Sequence, residues 1–353
     1  MEEKSNSLFI SSFKMKKFLT LVLKFSSPLI LILTVYIVLD PFKVIWHYDS
    51  YYQNVAQGQV GINKDHVSTS TYDNYFASED YNSFIFGNSR SMFYPVAEWK
   101  KHLSVNSRPF HFDASGEALY SLHKKVLYVD KKQGKMDNVL LILDHEILAQ
   151  DGPKTGHLFL TSPQLVDYNN YSEFHMANLR AFLSKKFFPA YMDFLVSGKV
   201  KPYMTEENLL EDRPYDYDVK TNEVQFNYAE KLIAEGKYYT PERMAVFYER
   251  PKEQKISPAA IMERQKEMLT EMAGIFKKHN TNIKIIINPL YNQEKLNPAD
   301  LAYLKQVFGE NNVFDFSGIN SITADYRNYY EASHYRPHIA AQLLREVYSK
   351  GNK

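Results

Sequence analysis

Asn82-Ser83-Phe84-Ile85-Phe86-Gly87-Asn88-Ser89-Arg90-Ser91 joins a short apolar run to a glycine and a small polar turn. Phe84 to Phe86 is a short apolar run with the aromatic and β-branched make-up of a buried strand. It passes into Gly87 and then into two small polar residues suited to a sharp strand-to-helix turn. A serine on such a turn has its hydroxyl at the C-terminal edge of a sheet. The helix that follows presents free N–H groups and a positive dipole end, which together stabilise an oxyanion. A plain helix N-cap is the other reading of Asn88 and Ser89, because Asn and Ser are among the best capping residues.

The same strand-then-helix pattern recurs along the chain. Pro109-Phe110-His111-Phe112-Asp113 reads as a second strand ending in Ala114-Ser115-Gly116, with a helix around Ala118 to Val129. Val139 to Leu143 is almost wholly apolar, as expected of a strand buried on both faces of a parallel sheet, and opens into Asp144-His145-Glu146. A helix over about Ser257 to Asn280, a strand Ile283 to Ile287 ending in Asn288-Pro289, and a helix from Asn297 to about Phe308 follow. The strand Val313 to Phe316 and a closing helix, His338 to about Lys350, complete the series. Strands alternating with helices predict an α/β three-layer sandwich with a central parallel sheet. In such folds ligands bind beyond the C-terminal strand ends, where Ser89, Gly116, Asp144 and Pro289 all fall. His111, inside the second strand, reads as a packed core residue. The alternation stops between about 150 and 254, where aromatic helix-like patches (Asn178 to Phe188, Tyr228 to Ala234) predict an insertion that covers or flanks a site.

Lys plus Arg number 42 against 41 Asp plus Glu, with no basic block, so nucleic acid is not an expected partner. Cysteine is absent, which excludes thiol catalysis, thiolate metal sites and disulfides. There is no Gly-rich phosphate loop and no dinucleotide fingerprint, so no nucleotide cofactor is expected. Asp144-His145-Glu146 does not predict a metal either, since adjacent residues at one strand end do not all face one ion. Phe18 to Leu39 covers 22 residues, ~33 Å as a helix and long enough for a bilayer core. Lys14, Lys16 and Lys17 precede it and Asp40 follows, with Lys43 the nearest positive charge beyond. The positive-inside rule therefore predicts a cytoplasmic tail (1–17), a transmembrane signal anchor (18–39) and an extracytoplasmic remainder. Residues 40–80, polar and Tyr-rich, read as a stalk and lead-in with a turn at Asn63-Lys64-Asp65-His66, and 81–353 as the main domain.

Near the C-terminus stands Glu331-Ala332-Ser333-His334-Tyr335-Arg336-Pro337. A carboxylate three residues before an imidazole can fix its tautomer and leave the other ring nitrogen free to take a proton from a hydroxyl. A surface pair capping the last helix is the alternative. Arg90 and Arg336 are each open to binding a substrate anion or pairing with a neighbour.

Taken together, the Gly-Asn-Ser turn, the Gly after the second strand and the acid-x-x-His before the last helix resemble the SGNH (GDSL-like) hydrolase superfamily. The resemblance covers about residues 80 to 350 apart from the 150–254 section. Phe86-Gly87-Asn88-Ser89-Arg90-Ser91 and the Glu331–Pro337 stretch behind a single anchor are similar to membrane-tethered bacterial members associated with alginate O-acetylation and teichoic-acid D-alanylation. The resemblance implies a flavodoxin-like sheet and a serine esterase or O-acyltransferase at the bacterial cytoplasmic membrane, its main domain periplasmic. A cell-surface glycopolymer would be the substrate, and a membrane-bound O-acyltransferase a partner. Ser89 would be the nucleophile, with Ser91 a weaker candidate, His334 the general base and Glu331 its orienting acid. The N–H groups of Ser89 and Gly116 would line the oxyanion hole. Asn88, Arg90, Asp144, His145 and Arg336 are the possible substrate-binding residues. The family's third block places an Asn donor where this chain has Asp144, which when ionised cannot donate. His145 or another group would then substitute, or two donors would serve. A non-catalytic subunit on the same scaffold is the other functional reading, and Asp144 and Glu331 are the features in its favour.

Overall fold

Five short apolar runs form one parallel sheet: β1 (Ser83–Gly87), β2 (Pro109–Asp113), β3 (Asn138–Leu143), β4 (Asn282–Ile287) and β5 (Val313–Asp315). Their order is β2-β1-β3-β4-β5, every neighbour parallel. The computed structural model describes residues 3–52, 58–133, 135–166, 169–206, 209–211 and 216–349. Within these, eight helices of three turns or more are present: α1 (Glu3–Leu39), α2 (Lys64–Glu79), α3 (Leu119–Gln133), α4 (Asn169–Phe182), α5 (Phe187–Ser197), α6 (Glu263–Lys278), α7 (Pro298–Phe308) and α8 (Pro337–Ser349).

The period-two alternation of strand side chains splits the core in two. Phe84, Phe86, Phe110, Phe112, Leu141 and Ile285 point to one face, where they pack with Leu122 of α3 and Leu269 of α6. Ile85, Leu140, Ile142 and Ile286 point to the other, where Trp99 and Leu343 of α8 cover them. Helices therefore close both faces, as the near-continuous apolar runs require. Burying each large side chain contributes about 1.5–3 kcal/mol. The strand order reverses between β1 and β3, which puts the crevice of a doubly wound sheet beside Ser89 and Asp144. Gly87 is obligatory there. A Cβ on it would lie 2.9 Å from the Ile142 carbonyl oxygen and 2.9 Å from Ser91 Cβ.

Three elements depart from expectation. The helix expected after Ser89 is only a 3₁₀ turn, Ser89–Phe93, followed by a short helix, Val96–Lys100. Pro95 disfavours helical geometry at the residue before it, and Tyr94 is accordingly extended (φ −90°, ψ 96°). The patch Asn178 to Phe188 is likewise broken, α4 ending at Phe182 and α5 starting at Phe187. Ser184 Oγ accepts the Phe187 N–H at 3.1 Å, and Pro189, lacking a donor, fits the first turn of α5.

The third departure is α2, in a region that reads as stalk. Asn63 is its N-cap and not a turn residue, accepting the His66 N–H at 3.0 Å. Lys64 through Tyr72 are all buried. Tyr72 packs on Phe84, Phe110 and Phe112, and His66 on Tyr51 and Phe174, while Lys64, Asp65 and Ser68 meet polar partners. Lys64 faces Asp113 at 3.6 Å, Asp65 faces Lys125 at 3.6 Å, and Ser68 Oγ donates to the Asp113 carbonyl at 2.7 Å. A helix buried partly through ion pairs leaves an interrupted apolar stripe in the sequence. His111 lies in this same region, buried 3.4 Å from Asp113.

Met15–Leu39 of α1, which includes an 18-residue stretch of mean hydropathy 2.2, is long and apolar enough to cross a membrane.

Asn63 also donates from Nδ2 to the carbonyls of His157 and Leu160, both at 2.9 Å, tying α2 to the 150–254 section. Asn63→Ala removes the cap and these two bonds together, so a loss of about 2 kcal/mol is expected in urea unfolding of the full chain. An unchanged midpoint would show that α2 does not depend on its cap.

Candidate active site

Asn88 is the first residue past β1, and its side chain sets the turn. Asn88 Oδ1 accepts the Arg90 N–H at 3.0 Å, and its amide donates to Asp144 Oδ2 at 2.9 Å. Ser89 then projects its hydroxyl to His334, with Oγ 2.7 Å from Nε2. The other ring nitrogen, Nδ1, is hydrogen-bonded to Glu331 Oε1. Glu331 Oε2 accepts the Ser333 N–H at 2.7 Å, which orients the carboxylate. Burial pushes the Glu331 carboxyl up, but the bond and charge of His334 together with the Ser333 N–H outweigh it and hold Glu331 below its usual value. The three residues expected to act together are therefore joined in one hydrogen-bonded chain. Ser91 is outside it, buried and donating to the Asn88 carbonyl at 2.8 Å.

The remaining expected residues divide. Asp144, just past β3, accepts at Oδ2 from Asn88, from the Asn288 amide (3.0 Å) and from Arg90 Nη1 (2.8 Å), and at Oδ1 from the Ile147 N–H (3.1 Å). Burial raises its pKa, but Arg90 and the three N–H donors reverse the shift, so Asp144 stays an anion below its usual carboxylate range. Arg90 also binds Glu146 Oε2 (2.9 Å), the Ser333 carbonyl (3.1 Å) and Ser333 Oγ (3.2 Å). Its guanidinium is engaged within the protein and links the Ser89 turn to the histidine loop. Arg336 is engaged too, gripping both oxygens of Glu230 at 2.9 and 2.6 Å. His145 belongs elsewhere, lining a small pocket with Ser257, Asn288 and Glu294 and not the Ser89 cleft. Gly116 lies in the loop leaving β2 in left-handed conformation (φ +55°), with Phe159 and Lys154 against it.

Ser89 and His334 open into a cavity of about 540 Å³. Met92, Phe93 and Tyr330 form part of its wall, and Phe226, Tyr228, Tyr238, Arg243 and Val246 come from the 150–254 section. That section therefore forms a cover along one side of the cavity. Glu230 fastens this cover to the histidine loop through Arg336 and through Tyr330 Oη at 2.6 Å.

Sequence reasoning missed Asn288, Tyr335 and Glu230. Tyr335 Oη donates to Asn288 Oδ1 at 2.8 Å, which turns the Asn288 amide towards Asp144. The available signal was position, since Asn288 directly follows β4. Glu230 gives no signal of its own, because its partners lie about 100 residues away in sequence.

No protein-family model matches the chain, and no curated protein or solved structure matches it either.

Because the Asp144 carboxyl titrates below its unfolded value, its contribution to stability is complete above the usual carboxylate range and lost as pH falls through its folded value. Asp144→Asn leaves the Arg90 charge short of its buried partner, so a loss on the order of 3 kcal/mol is expected near pH 7. The gap between parent and variant should narrow below roughly pH 4. Urea midpoints measured across pH check both, and a constant gap at every pH would contradict the assignment.

Proposed function

We propose that this chain is a membrane-anchored serine esterase or O-acyltransferase of SGNH type, acting on O-acyl groups of a cell-surface polysaccharide, acetyl being the simplest. The observation that carries the reading is the chain Ser89 Oγ–His334–Glu331 inside a covered cleft. The strand order β2-β1-β3-β4-β5, with the serine directly after β1 and the histidine loop directly before α8, accords with an SGNH-type fold.

In this reading Ser89 Oγ attacks the acyl carbon while His334 Nε2 takes its proton, and Glu331 holds Nδ1–H and stabilises the imidazolium. The oxyanion accepts from the N–H groups of Ser89 and Gly116. Two donors serve here, since Asp144 is an anion already occupied and His145 faces another pocket. Arg90 neutralises Asp144, so that carboxylate does not repel the oxyanion. His334 then protonates the leaving hydroxyl, giving an acyl-Ser89 ester. A sugar hydroxyl or water, deprotonated by His334, releases the acyl group and restores Ser89. The cover with Phe226, Tyr228 and Tyr238 limits water and gives rings on which a sugar can stack, which favours transfer. The anchor belongs in a bacterial cytoplasmic membrane with the domain outside, where a membrane-bound O-acyltransferase would pass on the acyl group.

Turnover of an aryl acetate by the full chain tests this. Ser89→Ala and His334→Ala should each lose about 10³-fold or more, and Glu331→Gln about 10²–10⁴-fold in kcat. Ser91→Ala should retain turnover, because that hydroxyl only caps the Asn88 carbonyl. Turnover that survives Ser89→Ala would refute the mechanism, and a folded parent chain without turnover would favour a non-catalytic subunit.

A further inference from the structure

The last two turns of α1 are not free. Ile32 and Val35 pack against a cluster in which the Tyr36 ring lies 5.1 Å from Phe182 of α4. Phe42, just beyond α1, lies 4.7 Å from Phe187 of α5. The α4–α5 hairpin is thus fixed beside the end of the apolar helix. Ile32 is seven residues before Leu39, about 10 Å along the axis. The hairpin consequently sits at the depth of the headgroup–acyl boundary of any bilayer that α1 spans.

Its outward surface matches that position. Leu183 and Leu195 are exposed and Val196 is 90 % exposed, while Phe188 and Met192 are only partly covered. Around them, residues 180–201 carry Arg180, Lys185, Lys186 and Lys199, while the single acid, Asp193, pairs with Lys201 at 2.7 Å. An apolar face rimmed by cations fits a leaflet containing anionic phospholipid, with the lysine stems extending along the acyl boundary to the phosphates.

We propose that α4 and α5 insert this face into the outer leaflet, giving the domain a second, interfacial contact with the membrane beside its anchor. The proposal rests on reading α1 as membrane-spanning. Its consequence is geometric. Phe174 of α4 packs on His66 of α2 (ring centroids 5.2 Å), and α2 is bound to β2 through Lys64, Ser68 and Asp113, so the Ser89 cleft is held at a set height and tilt over the lipid.

Because the native chain has no cysteine, single nitroxide labels report position directly. The full chain is reconstituted in phosphatidylcholine–phosphatidylglycerol vesicles carrying Val196→Cys, Leu183→Cys, Leu29→Cys or Val105→Cys, and collision rates with oxygen and with a water-soluble nickel chelate are compared. At 183 and 196 oxygen is expected to dominate several-fold, at a depth of about 5–10 Å. Position 105, 87 % exposed on a loop before β2, should show the reverse ratio. Lipid contact at 29 with water contact at 183 and 196 overturns the proposal while the anchor stands. Water contact at 29 overturns the anchor itself. Low rates with both reagents at 183 and 196 mean a protein contact between copies and also overturn it.

Discussion

Asp144 holds four donors inside the protein at once: the Arg90 guanidinium, the amides of Asn88 and Asn288, and the Ile147 N–H. Removing a carboxylate from water costs several kcal/mol, and only a full set of donors with an opposite charge offsets that. The donors come from the ends of three adjacent strands, β1, β3 and β4, so one anion fixes how those strand ends meet. Asn88 cannot swing without losing Asp144, and the turn bearing Ser89 is set by Asn88. Arg90 carries the constraint on to the Ser333 carbonyl and hydroxyl, next to His334. The serine and the histidine are about 245 residues apart in sequence yet 2.7 Å apart in space through this one buried hub.

A second tie closes the site from above. Glu230 joins Arg336 and Tyr330, so the aromatic cover and the histidine loop are tied to each other. Burial raises the Glu230 pKa, but Arg336 and Tyr330 outweigh it and keep the carboxylate ionised. The cleft is thus assembled from two buried or half-buried acids, one beneath the serine and one above the histidine. Neither is free to bind a substrate cation. Arg90 and Arg336 are equally committed, so the residues facing a ligand are largely aromatic, with Arg243 and Glu242 at the wall.

The sheet was legible because its strands are buried on both faces and read as unbroken apolar runs such as Val139 to Leu143. Ser89, His334 and Glu331 were legible because each sits at a turn beside a strand end or before a helix, where spacing carries meaning. Asp144 was legible only as a position. In the sequence it reads as a misplaced oxyanion donor, whereas its role comes from Asn288 and Arg90, which no local pattern links to it. Helix α2 was hidden for a related reason. Its buried face mixes Lys64, Asp65, Ser68 and Thr69 with Val67 and Tyr72, and the ion pairs to Asp113 and Lys125 interrupt the hydrophobic period. The cover in 150–254 was recognisable as an interruption, but its fastening through Glu230 was not.

The proposed chemistry requires that His334 activate Ser89 in the folded protein. Exposure of the full chain, in membranes, to a fluorophosphonate followed by mass mapping of the adduct measures that directly. A single adduct on Ser89, absent from His334→Ala, is the predicted result. A folded chain that takes up no reagent, or takes it up at a different residue, would contradict it.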